Sequence, residues 1–320
     1  MDNVTHTLVG LMMARVALRK SPRGAPAMMM IAANIPDIDV ASGFGGSLAY
    51  IEYHRGYTHS LLASPVMALI PLLLFMAIFR QRPTVGLYFF SWIAVLSHLA
   101  LDCTNVYGVR LLLPFSDRWL RLDQTDIIDP WILAILILAV GAPALARLVS
   151  AEIGSRSGPG PKRGWAWFAL VMIAAYDVGR YAAHQRAIGV MSVRLYEGTI
   201  ARRLAALPSR VNPLRWRGVA EGEEFVVIVP VDLTEEFDPS AGRLEYNATS
   251  SPAIDAAKRT PAFEVFGRFS QLPFWKITSF GDAIRVELID LRFGTPEHPG
   301  FEASAIVDPA GNVRESKFSF

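Results

Sequence analysis

Residues 61–79 run without a single charged side chain, nearly all of them apolar or small. A helix of about twenty such residues is long enough to cross the roughly 30 Å hydrocarbon core of a bilayer. The run stops at Arg80-Gln81-Arg82-Pro83, and residues 84–101 follow, apolar apart from Ser91, Ser97 and His98. The two segments read as a helical hairpin. Residues 131–149 make a third span, and residues 165–181, rich in aromatics but carrying Asp177, a fourth. Upstream, residues 4–18 and 25–35 are apolar helices too short to span comfortably, separated by a basic turn with Arg19, Lys20 and Arg23; they read as a re-entrant or partly embedded hairpin. Composition agrees: 52% of the chain is hydrophobic and 19% charged, more apolar than a soluble domain of this size requires. The expected fold class is mainly α, a polytopic helical membrane domain over residues 1–183 followed by a small β-rich domain.

The segment 154–164 is rich in Gly, Pro, Ser and basic residues and joins two membrane helices. An amphipathic connecting helix is expected from about 184 to 207, within a linker reaching 210. Beyond it, residues 211–320 carry short β-like runs at 225–229, 243–247, 274–279, 283–292, 303–307 and 313–318, divided by Gly, Pro and Asp.

A net charge of +2 and the lack of a basic, aromatic-studded groove argue against nucleic acid as a partner. The lone Cys103 rules out an intrachain disulfide, and the first residues lack the basic start of a cleaved signal peptide. The basic residues Arg15, Arg19, Lys20, Arg23, Arg80, Arg82, Arg147, Arg156, Lys162 and Arg163 fall at alternate turns, which should therefore be cytoplasmic. The opposite turns, 35–60 and 102–130, then face outward. Arg180, Arg186, Arg194, Arg202 and Arg203 run against this scheme, and if the fourth segment does not cross, the β domain is cytoplasmic.

Ionisable groups at the ends of membrane helices are costly unless paired or bound to something. His98-x-x-x-Asp102 sets an imidazole and a carboxylate one helical turn apart, a spacing that suits one cation or a capped helix end. His54 and His59 flank Gly56 just before the first long span; Asp37 and Asp39 flank Pro36 where the second short helix should break; His6 opens the first helix. Each has an ordinary reading as a cap, a turn or packing. In the hairpin scheme, however, His6, Asp37, Asp39, His54, His59, His98 and Asp102 meet at one membrane face from four separate stretches, which packing does not require. Such a His/Asp set suits Zn²⁺ first, with Mn²⁺ or Fe as alternatives, and its carboxylates can bridge two ions.

These stretches also carry a resemblance. Met1-Asp2-Asn3-Val4-Thr5-His6-Thr7, Asn34-Ile35-Pro36-Asp37-Ile38-Asp39, His54-Arg55-Gly56-Tyr57-Thr58-His59-Ser60, Ser97-His98-Leu99-Ala100-Leu101-Asp102 and Leu113-Pro114-Phe115-Ser116-Asp117-Arg118 resemble, in order, the motifs of the YdjM-like inner-membrane metal-dependent hydrolases. The similarity runs from residue 1 to about 180. It implies a multi-pass inner-membrane protein whose His6, Asp37, His54, His59, His98 and Asp102 hold one or two divalent ions. Asp39 would be a further ligand or the base that activates water. The family name carries a LexA association that implies no DNA-binding surface here. Arg55 is the candidate for steadying an anionic, lipid-linked or phosphoester substrate at the bilayer surface, with the metal site at the periplasmic face. A non-enzymatic scaffold, with a structural metal and a partner-binding β domain, is the alternative.

Other polar residues carry two readings each. Asp117 with Arg118 forms a turn or a ligand contact; Asp123, Asp126 and Asp129 cap the third span; Arg110 lies near the proposed site; Glu52 is a further candidate base. Trp119, Trp131, Trp165 and Trp167 are expected as interfacial anchors.

Overall fold

The computed structural model describes residues 1–18, 22–152, 162–248 and 250–320. In chain order it forms α1 (Asn3–Ala17), α2 (Ala25–Ala32), α3 (Ser47–Tyr53), α4 (Ser64–Phe79), α5 (Val85–Thr104), α6 (Pro130–Glu152) and α7 (Lys162–Ser192). Strands β1 (Arg203–Pro208), β2 (Arg215–Glu221), β3 (Phe225–Asp232) and β4 (Arg243–Tyr246) follow. The chain ends with α8 (Pro252–Lys258), α9 (Pro261–Phe269), β5 (Pro273–Phe280), β6 (Ala283–Asp290), β7 (Glu302–Val307) and β8 (Val313–Ser319). Arg19, Lys20, Arg156 and most of the 154–164 segment lie outside the described residues.

Two compact units result. The first comprises Met1–Ile38, Arg55–His184 and Pro208–Pro213, the second Asp39–His54, Gln185–Leu207 and Leu214–Phe320. By contact, the short segment Asp39–His54 groups with the C-terminal residues.

In the first unit, α1 begins where Asp2 accepts hydrogen bonds from the Val4 and Thr5 amides, both at 3.0 Å. Gly10 lets α2 lie directly on α1, since a Cβ there would stand 2.8 Å from the Met29 carbonyl oxygen. Met28, Met29 and Ala32 of α2 then pack with Leu72 and Phe75 of α4 and Ala94 and Val95 of α5. The other side of α1 supplies Val9 and Met12 to a second cluster with Ile132 and Leu136 of α6 and Ala166 and Ala169 of α7. Away from that cluster α6 exposes Ile137, Leu138, Leu145, Leu148 and Val149, a continuous apolar face of the kind that lipid covers.

Among the described residues, α5 and the α6 segment Pro130–Val149 are long and apolar enough to cross a membrane. The 61–79 run is shorter than expected as a helix. Its first residues form turns, and α4 has 16 residues, about 24 Å, short of a full crossing by itself. The 165–181 segment is helical within α7, but its two charged residues, Asp177 and Arg180, dilute its hydropathy, and it is not apolar enough to join the two crossing helices.

In the second unit the expected connecting helix over 184–210 gives way to the end of α7 at Ser192 and to strand β1. The six β-like runs fall on β3 to β8, and β1 and β2 complete a four-stranded sheet in the order β1-β2-β3-β4. A second sheet, β5-β6-β7-β8, is antiparallel throughout, with Val286 opposite Ala305 at its centre. Helices α8 and α9, which a strand-only reading of this region omits, add an apolar face to this sheet. Phe263, Phe266 and Phe269 recur at helical spacing on α9, and the Phe266 ring lies 5.0 Å from that of Phe318 on β8. Within the same unit α3 meets α9, where Glu52 pairs with Arg268 at 3.1 Å. That ion pair accounts for Glu52 without a catalytic role.

Candidate metal centre

Helix α5 sets His98 and Asp102 one turn apart, both fully buried, with His98 Nε2 3.4 Å from Asp102 Oδ2. The hairpin of α1 and α2 delivers the next group. After α2 ends, Pro36 starts a tight 3-10 stretch that carries Asp37, and Asp37 Oδ1 lies 3.6 Å from His98 Nε2. His59, in the short turn before α4, has its Nε2 3.1 Å from His98 Nε2, 3.4 Å from Asp37 Oδ1 and 3.6 Å from Asp102 Oδ2. Asp37, His59, His98 and Asp102 thus each turn one ligand atom towards a common point.

The spacings have a chemical meaning. Tetrahedral Zn²⁺ with bonds of ~2.0–2.1 Å separates its ligand atoms by roughly 3.3 Å. The separations of 3.1 to 3.6 Å bracket that value. The proton inventory agrees. His98 Nδ1 lies 2.8 Å from the Ala33 carbonyl oxygen, which can only accept, so the proton sits on Nδ1 and Nε2 is bare. Three acceptors, His98 Nε2, Asp37 Oδ1 and Asp102 Oδ2, therefore converge with at most one N–H, that of His59, to share. Asp102 Oδ2 has no hydrogen-bond partner, and neither does either ring nitrogen of His6. Buried acceptors without donors cost free energy, and a cation satisfies all of them together.

His6 completes the wall. Its ring stacks on His98 with centroids 3.8 Å apart, and its Nε2 is 3.4 Å from Asp102 Oδ1. The Met1 amino group is ion-paired with the same oxygen. At Asp37, burial alone would push the carboxyl up. The hydrogen bond to His59 and the positive charge of Arg55 oppose this and hold Asp37 below the usual carboxylate range, ready to bind a cation without first losing a proton.

Arg55 is buried and faces Asp102 rather than open space. Its Nη2 is 3.1 Å from Asp102 Oδ1, its Nη1 donates to Asn105 Oδ1 and the Gly108 carbonyl, and its guanidinium lies 4.7 Å from the Tyr107 ring centroid. Its φ of +56° is unusual for a non-glycine residue and is held by these contacts. Asn105 is a residue beside the cluster that the sequence reading did not single out. One turn beyond Asp102, it donates to Asp102 Oδ1 at 3.4 Å and accepts from Arg55 and from the amides of Tyr107 and Gly108. The only sequence signal is its spacing from Asp102. Thr58, 3.0 Å from His59 Nδ1, is a second such residue.

Of the residues singled out from sequence, the first unit gathers His6, Asp37, His59, His98 and Asp102, with Arg55 behind them. Asp39 and His54 belong to the second unit, where His54 Nδ1 is 2.7 Å from Asp39 Oδ1. Asp129 caps α6, accepting from the Trp131 and Ile132 amides, and Asp126 pairs with Arg210 at 3.0 Å. Arg110 stacks 5.0 Å from Trp119.

Asp37 also reaches a cavity of about 630 Å³, walled largely by Ala27, Met30, Ile31 and Ile35, with Asn34 beside them. Of the four converging residues, Asp37 is the one that lines this cavity.

Comparison with known proteins places both ends of the chain. Residues 1–187 match the model of the YdjM inner membrane protein family, and residues 252–320 that of the YfhP C-terminal alpha/beta plait domain. The uncharacterized protein YfhP of Bacillus subtilis (strain 168) is 26% identical over 328 residues, covering 99% of this chain and 94% of YfhP. Inner membrane protein YbcI of Escherichia coli (strain K12) is 36% identical over 92 residues, 28% of this chain and 53% of YbcI. No solved structure matches.

Proposed function

Because this chain belongs to the YdjM inner membrane protein family, we propose that it is a membrane-bound, metal-dependent hydrolase of an ester or phosphoester at the bilayer surface. The observation that carries this reading is the convergence of three buried ligand atoms and the half-buried Asp37 within 4.8 Å of one another, with too few protons to satisfy one another. His59, His98, Asp37 and Asp102 hold the ion, Zn²⁺ in the first instance and Mn²⁺ or Fe in the second, with His6 in reserve for a further position. A divalent ion held there with one position open, by three of these ligands for Zn²⁺ or by all four for octahedral Mn²⁺ or Fe²⁺, would supply a bound water acidified towards neutrality and a positive charge against a carbonyl or phosphoryl oxygen.

The protein's own groups do the rest. The Ala33 carbonyl fixes the His98 tautomer, so that Nε2 is always the ligand atom. Arg55 and Asn105 occupy Asp102 Oδ1 and leave Oδ2 facing His59 and His98. Arg55 is therefore a positioning residue, a different role from the substrate contact that sequence suggested. Asp37, at the edge of the cavity, is where a substrate meets the cluster. The alternating basic residues support a cluster at the periplasmic face.

A scaffold with a structural metal remains the second reading, favoured by one observation: four protein ligands close a tetrahedral Zn²⁺ site. Octahedral Mn²⁺ or Fe²⁺ would leave two positions open with the same ligands. Metal content and hydrolysis, measured together on detergent-purified wild type and a His98→Ala, Asp102→Ala double variant, separate the two. The hydrolase reading expects one or two equivalents of metal and cleavage of phosphoester or ester probes, both lost in the variant. Metal without cleavage points to the scaffold, and a wild type that takes up no metal after reconstitution overturns both.

A further inference from the structure

Helix α2 is apolar on both sides. Ala25, Met28, Met29 and Ala32 are buried in the core of the first unit, as an ordinary amphipathic helix requires. The opposite side should then be polar, and it is not. Ala27, Met30 and Ile31 recur at helical spacing and wall the cavity, with Ile35 beyond them. The rim continues the pattern: Ile31 is 40% exposed and Ile38 53%. The polar lining side chains are Asn3 and Thr7 of α1 together with Asn34 and Asp37; Asn34 Nδ2 donates to Thr7 Oγ1 at 2.9 Å, and Asn34 Oδ1 has no hydrogen-bond partner.

We propose that this cavity is an acyl-chain site, which holds the apolar tail of an amphiphilic substrate along α2 and presents its ester or phosphoester group at Asp37. The proposal rests on the hydrolase reading for the identity of the reacting group, but the chain site itself rests on α2. Four observations select a lipid chain as the occupant. The wall is apolar at every turn of α2, the volume of about 630 Å³ is that of a pocket for one extended small molecule, the apolar rim favours entry from hydrocarbon rather than water, and the chain spans the bilayer that would supply the ligand. The polar side, Asn3, Thr7, Asn34 and Asp37, orients the guest. Asp37 Oδ1, 3.4 Å from His59 Nε2 and 3.6 Å from His98 Nε2, links the cavity to the metal centre.

Ala27 is exposed on the cavity wall and Ile31 is partly so, which allows either to be replaced by Trp without entering the core. The full-length protein, in detergent, is irradiated with a diazirine-bearing palmitic acid, and the adducts are mapped by mass spectrometry. The expected adducts concentrate on residues 27–38 and are displaced by unlabelled palmitate. Ala27→Trp and Ile31→Trp each reduce them on the order of tenfold, the discrimination an apolar pocket exerts over a few methylenes, with metal content unchanged. Adducts spread as densely over the outer face of α6, and untouched by either Trp, overturn the chain site and leave the hydrolase reading standing. A metal-free wild type whose adducts still vanish in the Trp variants does the reverse: the chain site holds and the hydrolase reading falls.

Discussion

Both units bury charge, and they do so in opposite ways. In the second unit Asp290 and Arg292 are fully enclosed and complete each other. Arg292 Nη2 is 2.6 Å from Asp290 Oδ2, Nε is 2.9 and 3.0 Å from the two carboxylate oxygens, the Gln271 amide adds a further donor, and the guanidinium lies 4.7 Å from the rings of Phe269 and Phe293. One negative charge meets one positive charge. In the first unit two carboxylates and three imidazoles share a space with Arg55 and the Met1 amine, and acceptors at its centre still lack donors. A buried polar group that is satisfied by its own chain is architecture; one left short of donors points to something the chain binds.

The strongest way to break this comparison is to unbalance the satisfied pair. Asp290→Ala leaves the Arg292 guanidinium buried and unpaired, which costs about 3–5 kcal/mol. Hydrogen exchange of the full chain should show amide protection lost over β5 to β7, and metal content should not change. Loss of metal in this variant would mean that the two buried clusters are not independent, and the contrast between them would fail.

A smaller effect sharpens the other side. Asn105→Ala removes a support of Asp102 without removing a ligand, so metal should bind 10–100-fold more weakly, the usual cost of losing such an outer contact. Competition against a chelator measures it. Arg55→Lys should act in the same direction, because an ammonium cannot reach Asp102, Asn105 and the Gly108 carbonyl together. If neither variant weakens binding, Asp102 is not oriented through its Oδ1 partners.

What sequence could reveal follows from the range of the interactions. His98 and Asp102 are legible because the helical repeat alone puts them together, and the spans and most strands are legible from hydrophobic periodicity. His59 and Asp37 join them through long-range packing, which depends on Gly10 and Pro36 and has no local pattern; a family resemblance, rather than spacing, tied them to one site. Helices α8 and α9 were missed because their Pro-led starts read as breaks between strands, although Phe263, Phe266 and Phe269 have helical spacing. The packing of α3 on α9 has no local signal, because the two lie more than two hundred residues apart. Asn105 was passed over because nothing in a lone Asn announces that it will accept from an arginine fifty residues upstream.

The gentlest test uses acid, read as a difference between two proteins that isolates the satisfied pair. Burial by itself would push the Asp290 carboxyl up, but the charge of Arg292 and its hydrogen bonds more than reverse this and hold it below the usual carboxylate range. A carboxyl depressed in the folded state stabilises the fold above its unfolded pKa, about 3.9, and loses that contribution as pH falls through the folded value. Asp290→Asn keeps the shape and cannot ionise. The difference in β6 amide protection between wild type and Asp290→Asn should therefore be largest near neutrality, hold steady down to about pH 5, and close progressively below about pH 4. Other groups titrate equally in both proteins and cancel from the difference. A gap that stays constant to pH 3 would mean that the Asp290 carboxyl does not gain its stability from ionic pairing, and the satisfied half of the comparison would have to be rebuilt on hydrogen bonds alone.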